Sequence, residues 1–217
     1  MKKIIPLLAI LTLTGCATVQ NLPLDAKGAA ALKGQAITHT TYNKPDFAAF
    51  TPGKAAGGLI GGLLMISAGN QIVAENDIQD PAPEIAAKLL KNMEQVHNMV
   101  PGKSPIQLSD NSIEKIAASS NGVPFILDVQ TINWSFVYQP TDWTHYRVIY
   151  TAKARILDAK TKAVLAENIC SNAKTPVPDP LPTHDELLAN KAALIKEKLA
   201  LASKECAEQF KSTLLSL

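Results

Sequence analysis

The stretch from residue 124 to residue 171 constrains the fold most, because apolar and polar side chains alternate along it. Alternation with a period of two predicts strands that each have one buried face. The apolar positions follow one phase and then the opposite one: first Phe125, Leu127 and Val129, then Ile132, Trp134, Phe136 and Tyr138. The change of phase near Gln130 and Thr131 predicts a β-bulge or a strong twist, since either would re-aim the side chains.

Two more strands are predicted in the same stretch. Apolar residues occupy alternate positions from Tyr146 to Ile156, and most positions between them are basic or carry a hydroxyl group. The turn-forming residues 158–162 then lead into a third strand, Ala163 to Ser171. Three strands joined by short turns predict an antiparallel meander with one face in water.

A long amphipathic helix is predicted for the C-terminal part of the chain. Thr183 and Glu186 have the spacing of a capping box. Apolar residues then recur every three or four positions, as in a helix that covers a sheet: Leu188, Ala192, Ile195, Leu199, Ala202, Cys206, Phe210 and Leu214. Residues 175–182 include four prolines, which predicts an extended connector before the helix.

The remaining elements complete an α+β fold, an α/β sandwich in which amphipathic helices cover a mixed sheet in a domain of residues 77–217. A helix is predicted to begin at Asp80–Pro81, with a buried stripe made of Ile85, Leu89, Met93 and Val96. A short strand at 105–108 and a short helix through 113–117 follow it. Residues 16–53, which are rich in small residues and turn formers, are predicted to be a tether with one strand at 35–43.

A glycine-rich apolar helix is predicted at residues 54–76, with no charged residue between Lys54 and Glu75. Its apolar segment, Ala55–Ala74, is as long as a membrane span, and Gly57/Gly61 and Gly58/Gly62 are G-x-x-x-G pairs that allow helices to approach closely. One interpretation is therefore a membrane-inserting or self-associating helix. The other is a helix packed on the domain or on a partner, because each of its five glycines weakens a water-exposed helix by about 1 kcal/mol.

The N-terminal residues have the features of a secretory signal. Two lysines precede an apolar run, Ile4 to Thr14, that is too short to span a bilayer. The following Leu13-Thr14-Gly15-Cys16 resembles the lipobox of bacterial lipoproteins. The resemblance implies cleavage of residues 1–15 and attachment of diacylglycerol and a fatty acyl chain such as palmitate to Cys16, which would anchor the chain stably. An ordinary cleaved signal is the alternative.

The residue after Cys16 indicates whether the inner or the outer membrane holds the predicted lipid anchor. In the lipoproteins that the motif resembles, an aspartate directly after the cysteine retains the protein in the inner membrane. Here that residue is Ala17. The resemblance therefore implies the periplasmic face of the outer membrane.

Removal of the signal leaves a chain without net charge. The full chain has 21 basic and 19 acidic residues, and Lys2 and Lys3 leave with the signal. A neutral chain without a basic run has no electrostatic footprint for nucleic acid. Acylation of Cys16 leaves Cys170 and Cys206, and an even pair in an oxidising compartment predicts a disulfide. Two separately buried thiols are the alternative.

No motif in the sequence indicates catalysis. The four histidines, at positions 39, 97, 145 and 184, lie on different predicted elements and lack the spacing of metal ligands. Motifs for hydrolase nucleophiles, zinc proteases and phosphate-binding loops are missing from the sequence. Glu94, Glu114 and Asp128 are expected to have structural roles. We therefore expect no enzymatic activity, no cofactor and no metal.

An aromatic cluster surrounds the turn after the first long strand: Trp134, Phe136, Tyr138, Trp143 and Tyr146. Aromatic side chains at a strand end can form a recognition surface. Tyr138, Trp143 and Tyr146 are the candidate partner patch. In the alternative interpretation, Trp134 and Phe136 belong to the core and only Trp143 is exposed.

Residues 54–210 resemble a family of uncharacterised predicted lipoproteins of Gram-negative bacteria, through the stretches 57–70, 80–86 and 127–138. In architecture only, the element order also resembles the lipoprotein activators of penicillin-binding proteins and the curli-secretion lipoprotein. We expect a non-enzymatic outer-membrane lipoprotein that binds another envelope component, a protein or a cell-wall assembly factor. The alternatives are a membrane-active or channel-forming oligomer built on 55–74 and a periplasmic small-ligand carrier.

Overall fold

The computed structural model describes residues 21–173 and 180–215. The predicted signal, the lipobox-like motif with Cys16, and most of the proline-rich connector therefore lie outside the described residues. Eight strands and six helices lie within them, in this order: β1 (Asn21–Leu22), α1 (Ala26–Leu32), β2 (Ala36–Tyr42), β3 (Ala48–Phe50), α2 (Pro52–Ala55), α3 (Gly58–Glu75), α4 (Ala82–His97), β4 (Val100–Pro101), β5 (Ile106–Leu108), α5 (Ile113–Ala118), β6 (Phe125–Gln139), β7 (Asp142–Asp158), β8 (Val164–Ser171) and α6 (His184–Leu214).

The eight strands form one mixed sheet around the long strand β6. The order is β1-β8-β7-β6-β2-β4, with β3 paired to β6 and β5 paired to β2. Strands β6, β7 and β8 form the predicted antiparallel meander, and β1 pairs antiparallel with β8. Strands β2 and β3 pair with β6 in parallel. This confirms the α+β class and the mixed sheet.

A register shift between Thr131 and Asn133 interrupts the pairing of β6 with β7. It confirms the irregularity predicted from the change of phase. Phe125, Leu127 and Val129 before the shift, and Trp134 and Phe136 after it, all lie in the same core. Ile132 is exposed, contrary to its predicted place on the buried face, because it lies within the irregularity itself.

Helices cover both faces of the sheet, but unequally. The large core joins α4 and α6 to one face through Ile85, Leu89 and Phe210, among others. The small helix α5 covers part of the opposite face, where Ile116 packs with Ile126 and Leu157 in a separate cluster. The opposite face therefore has a helical cover near one end of β6 and β7, the end remote from their connecting turn.

The disulfide predicted from the cysteine count is present. Cys170 of β8 and Cys206 of α6 are bonded, with their Cα atoms 5.3 Å apart. Both residues are buried in the large core. The bond joins the meander to the helix that covers it.

The tether prediction for residues 16–53 is wrong from Asn21 onwards. Strand β2 lies inside the sheet, and Leu24, Leu32, Ile37 and Phe47 are buried in the core. The short elements of this segment are stabilised by partners far along the chain, such as β6, and those partnerships leave no local periodicity. Four residues, 17–20, lie between Cys16, the predicted lipid attachment site, and the first described residue, Asn21.

The C-terminal helix begins as predicted, with a capping box between Thr183 and Glu186. It is not continuous, however, because Asn190, Lys191 and Ala192 adopt left-handed backbone angles with φ of 53°, 56° and 52°. The chain changes direction there. As a result Leu187, and not the predicted Leu188, is fully buried ahead of the turn.

Helix α4 follows its prediction except at its end. Ile85, Leu89 and Met93 are buried, whereas Val96 is exposed. Asn98 ends the helix in a left-handed conformation, and Met99 then enters the core. The last turn of α4 therefore projects past the core.

Candidate interaction site

The most polar buried cluster in the described chain is an ion pair inside the sheet. Arg155 Nε donates to Asp128 Oδ2 over 2.6 Å, and Arg155 Nη2 donates to the carbonyl of Asn111 over 2.5 Å. The other Asp128 oxygen accepts from Thr40 Oγ1 and Tyr42 Oη, over 2.6 and 2.5 Å. Burial, and next the Asp128 charge, raise the pKa of Tyr42, so its hydroxyl stays a donor. The cluster ties β2, β6 and β7 together.

The four histidines, His39, His97, His145 and His184, lie on β2, α4, β7 and α6. Burial lowers the pKa of His39 and of His97. His145 Nδ1 forms a hydrogen bond with Asp142 Oδ2 over 2.5 Å. The ring of His184 packs against Phe136 and Tyr146. In residues 21–173 and 180–215, no group of three His, Cys, Asp or Glu side chains is placed to hold a metal ion.

Three of the five clustered aromatic residues belong to the core. Trp134 and Phe136 are fully buried, and Phe47 meets the Trp134 ring edge-on at 5.2 Å between centroids. Tyr146 is also buried, with its ring 5.6 Å from that of Phe136. Its predicted place in the partner patch is therefore wrong, because the alternation of β7 turns it toward the core.

Trp143 lies at the turn between β6 and β7 and is 66% exposed. The turn holds it in place. Asp142 accepts from the backbone and hydroxyl of Thr144 over 3.0 and 2.7 Å, and from His145 over 2.5 Å. These contacts, those of Thr144 first, lower the pKa of the Asp142 carboxyl. The indole N–H donates to the carbonyl of Pro140 over 3.3 Å.

We call the depression beside Trp143 the hairpin groove. It has a volume of about 490 Å³ and is lined by Phe50, Val137, Tyr138, Gln139, Pro140, Trp143, Arg147, Ile149 and Ala173. Val137 and Ile149 lie on the face of the sheet opposite the large core, since their neighbours Phe136 and Val148 point into that core. Helix α5 packs near the other end of these strands. The groove therefore combines an apolar floor, an aromatic wall and one guanidinium group.

A second exposed apolar surface, the apolar tip, occupies the first two turns of α3: Leu59, Ile60, Leu63 and Leu64. Leu59 is 93% exposed and Leu63 is 71% exposed. Farther along, Met65, Gly69 and Val73 are buried against the domain. One half of this helix is thus bound to the domain, and the other half presents leucine and isoleucine to solvent.

Glycine allows the close packing of α3 on its own chain. A Cβ atom on Gly69 would lie 1.9 Å from the carbonyl oxygen of Phe47, and one on Gly61 would lie 2.0 Å from that of Lys54. The pair Gly57/Gly61 is therefore engaged within the chain. Gly58 and Gly62 have open space where a Cβ would be. Of the two predicted G-x-x-x-G pairs, this second one is the pair left for another helix.

Among the described residues, α3 is the helix that is long and apolar enough to cross a membrane, by length and composition alone. Buried residues make up 22% of it. The contacts of Gly69 and Val73 with the domain oppose a spanning arrangement, because a span would need the whole helix to face lipid.

Sequence reasoning identified Trp143 but missed Phe50, Val137 and Ile149, which complete the groove. Phe50 ends a strand of three residues, which is too short to show a period. It is brought beside Val137 by the parallel pairing of β3 with β6. That pairing joins residues more than 80 positions apart.

No protein-family model matches the chain, and no curated protein matches its sequence. Similar solved structures include a PelC dodecamer from Paraburkholderia phytofirmans, with 10% identity and a TM-score of 0.30 over 78% of this chain and 86% of that chain. Lipoprotein GNA1162 from Neisseria meningitidis has 13% identity and a TM-score of 0.27, over 80% and 99%. The LpoB C-terminal domain from Escherichia coli has 10% identity and a TM-score of 0.21, over 64% and 83%. Likeness at this level carries no argument about function.

Proposed function

We propose that the chain is a lipid-anchored, non-enzymatic protein of the bacterial outer membrane, facing the periplasm, that binds another envelope protein through the hairpin groove. The observation that carries the proposal is the exposure of Trp143 beside an apolar groove that also contains Arg147. Acylation of Cys16, inferred from the lipobox, would supply the anchor. The partner would be an envelope protein, such as a cell-wall assembly factor.

The composition of the groove supports protein binding. Trp, Tyr and Arg are the residues that most often dominate the energetics of protein interfaces. Trp143, Tyr138 and Arg147 all line this groove. Because the turn already holds Trp143, binding would order few additional side chains, and this lowers the entropic cost of association.

The buried polar residues support a non-enzymatic role. Asp128 and Arg155 are engaged with each other and with Thr40, Tyr42 and Asn111 inside the sheet. A general acid or base needs access to substrate, and both side chains of this pair are buried. We therefore assign the cluster to stability.

The channel-forming alternative is disfavoured by α3, whose second half packs on β3 and the core. The small-ligand alternative relies on the same groove, since its volume is within the range of about 300–1,000 Å³ typical of such sites. Ligand sites of that kind bury most of their ligand, however, and this groove is open to solvent. Mass spectrometry of the purified protein under native conditions would detect a carried molecule directly.

Crosslinking in cells tests the proposal. A photoreactive residue replaces Thr141, which is exposed beside Trp143, in the full chain. The control replaces Lys160, which is exposed at the opposite end of β7. We expect a discrete adduct with another envelope protein from position 141 and none from position 160.

Removal of the indole should weaken that adduct. Truncation of a central aromatic residue typically weakens binding by about 2 kcal/mol, which is roughly 30-fold. We therefore expect Trp143→Ala to reduce the adduct from position 141 strongly while thermal unfolding stays unchanged. An adduct of equal yield in Trp143→Ala, or equal adducts from positions 141 and 160, would contradict the proposal.

A further inference from the structure

The apolar tip lies at the same end of the sheet as the hairpin groove. Strand β3 runs parallel to β6 and ends with Phe50 beside Val137, close to the turn that carries Trp143. The chain continues through α2, and α3 then returns antiparallel to the segment before β3. Two contacts show this: Phe47 N–H donates to Asn70 Oδ1 over 2.9 Å, and Lys44 Nζ donates to the carbonyl of Ile78 over 2.8 Å. The first turns of α3 therefore point toward the hairpin end.

The direction and position of β1 bear on how the domain can lie on a membrane. Strand β8 runs toward the β6–β7 turn, because it is antiparallel to β7, and β1 is antiparallel to β8. Strand β1 therefore runs away from the hairpin end, and Asn21 is the residue of β1 nearer to that end. Five residue steps separate Asn21 from Cys16, and they span at most about 18 Å when fully extended. An acylated Cys16 would hold the domain within that distance of the bilayer.

The apolar tip is about as long as the depth to which amphipathic helices enter the bilayer interface. Residues 59–64 extend over roughly 9 Å of helix axis, and amphipathic helices bury about 5–10 Å into the bilayer interface. Beyond the tip, the exposed positions of α3 carry no large apolar side chain: they are Ser67, Gln71, Ala74 and Glu75. No acidic residue occurs between Asp46 and Glu75, so nothing in the segment repels anionic headgroups.

We propose that the apolar tip is a second, peripheral membrane contact that inserts into the bilayer interface, seating the lipid-anchored domain on the membrane. The inference rests on the lipid anchoring proposed above, since the short link from Cys16 would keep the domain near the bilayer and so raise the local concentration of the tip at the lipid. It differs from a span, because the rest of α3 stays bound to the domain.

The register of the sheet further defines how the strands are oriented relative to the bilayer. Asn21 of β1 pairs with Asn168 of β8, which pairs with Ala154 of β7. Ala154 in turn pairs with Val129 of β6, so Asn21 lies level with Val129, eight positions from Val137 along β6. Eight positions of strand correspond to about 26 Å, which exceeds the reach of residues 16–21. If the strands stood perpendicular to the membrane, Cys16 could not reach a bilayer that the tip touches. The strands are therefore inclined to the bilayer in the seated state.

Binding to protein-free vesicles tests the inference separately from partner binding. The mature chain carries Cys16→Ser, so that no acyl chain contributes, and is mixed with vesicles of phosphatidylethanolamine and phosphatidylglycerol. We expect it to float with the vesicles. The double variant Leu59→Gln/Leu63→Gln should bind roughly 100-fold more weakly, since two exposed leucines no longer enter the lipid. The matched control is Leu201→Gln, an exposed leucine on α6, which should bind like the parent.

A second measurement locates the tip in the lipid. In a Trp143→Phe background, Leu63→Trp supplies one accessible indole, while Trp134 stays buried. Brominated lipids should quench this indole, and should leave Leu201→Trp in the same background unquenched. Circular dichroism of each variant checks that the fold is retained.

Three outcomes would overturn the inference. The first is that the parent, which is the mature Cys16→Ser chain, does not float with the vesicles, and the second is that the tip variant Leu59→Gln/Leu63→Gln floats equally well. The third is that the indole at position 63 is not quenched. If the tip instead forms a contact between two copies, sedimentation without lipid will show a dimer that the tip variant loses, and the parent will not float. Failure of the groove proposal would appear only in the crosslinking experiment, because the vesicles contain no protein.

Discussion

At the scale of single residues, burial decides which polar groups matter. Asp128 and Arg155 are among the few charged side chains that are almost fully buried in the described chain, and each oxygen of Asp128 has a donor. A buried pair adds little net stability compared with an apolar pair of similar shape, but breaking it leaves an uncompensated charge. The surface pair Lys88–Glu84, 2.7 Å apart on α4, is exposed and screened by water.

This contrast predicts the outcome of a matched pair of variants. Arg155→Met should lower the free energy of unfolding by about 3–5 kcal/mol, because Asp128 loses its cation. Lys88→Met should lower it by less than about 1 kcal/mol. Urea denaturation measures both. The double variant Asp128→Asn/Arg155→Met should lose less stability than the sum of the losses in Asp128→Asn and Arg155→Met, because the two side chains interact directly. Similar losses for Arg155→Met and Lys88→Met would refute the structural role of the buried pair.

Two glycines of α3 provide a second matched pair. A methyl group on Gly69 has no room beside the carbonyl of Phe47, whereas Gly62 has open space. We expect Gly62→Ala to stabilise the protein by about 0.5–1 kcal/mol through helix propensity alone. Gly69→Ala should destabilise it, because α3 must move away from β3. Thermal unfolding distinguishes the two signs, and a shift of the same sign for both variants would contradict the packing described here.

At the scale of elements, a single covalent link holds the covering helix to the sheet. The bond between Cys170 and Cys206 closes a loop that includes the proline-rich connector, with a sequence separation of 36 residues. That connector, together with the left-handed turn at 190–192, separates β8 from the main body of α6. The disulfide therefore fixes the main body of α6 to β8 directly.

Loss of the disulfide should destabilise the whole domain. Cys170→Ala/Cys206→Ala is expected to lower the free energy of unfolding by about 2–4 kcal/mol. Reductant should shift the unfolding midpoint of the parent chain toward that of the variant and leave the variant unaffected. A parent chain whose midpoint is insensitive to complete reduction would contradict this role.

Local sequence patterns were accurate for elements whose partners are close in the chain. The three strands of the meander, the irregularity near Thr131 and the capping box at Thr183 were all predictable. Each depends on residues within a few positions of one another or on the period of one segment. Strand β3 and the partner of β2 were not predictable, because β6 lies more than 80 residues farther along the chain.

At the scale of the whole molecule, the position of the proposed lipid anchor relative to the fold would control which surfaces face the membrane. Residues 21–53 build part of the domain, so only a short link remains between Asn21 and the proposed acylated Cys16. A long tether would allow the domain to stand away from the bilayer. A short one would keep Asn21 close to the membrane surface, and the proposed inclination of the strands would bring the apolar tip to the same surface.

The amino-acid sequence by itself determined the periodicity of the meander strands and of the main helices, and the disulfide, because one-face burial and cysteine parity are local or compositional properties. Only the tertiary structure decided what covers each face. It buried Tyr146, left Leu59 and Leu63 exposed, and placed Phe50 beside Trp143 in one groove. Periodicity records that a side chain lies on a given face, but the long-range pairing of β2 and β3 with β6 and the packing of α3 determine whether that face meets the core or solvent.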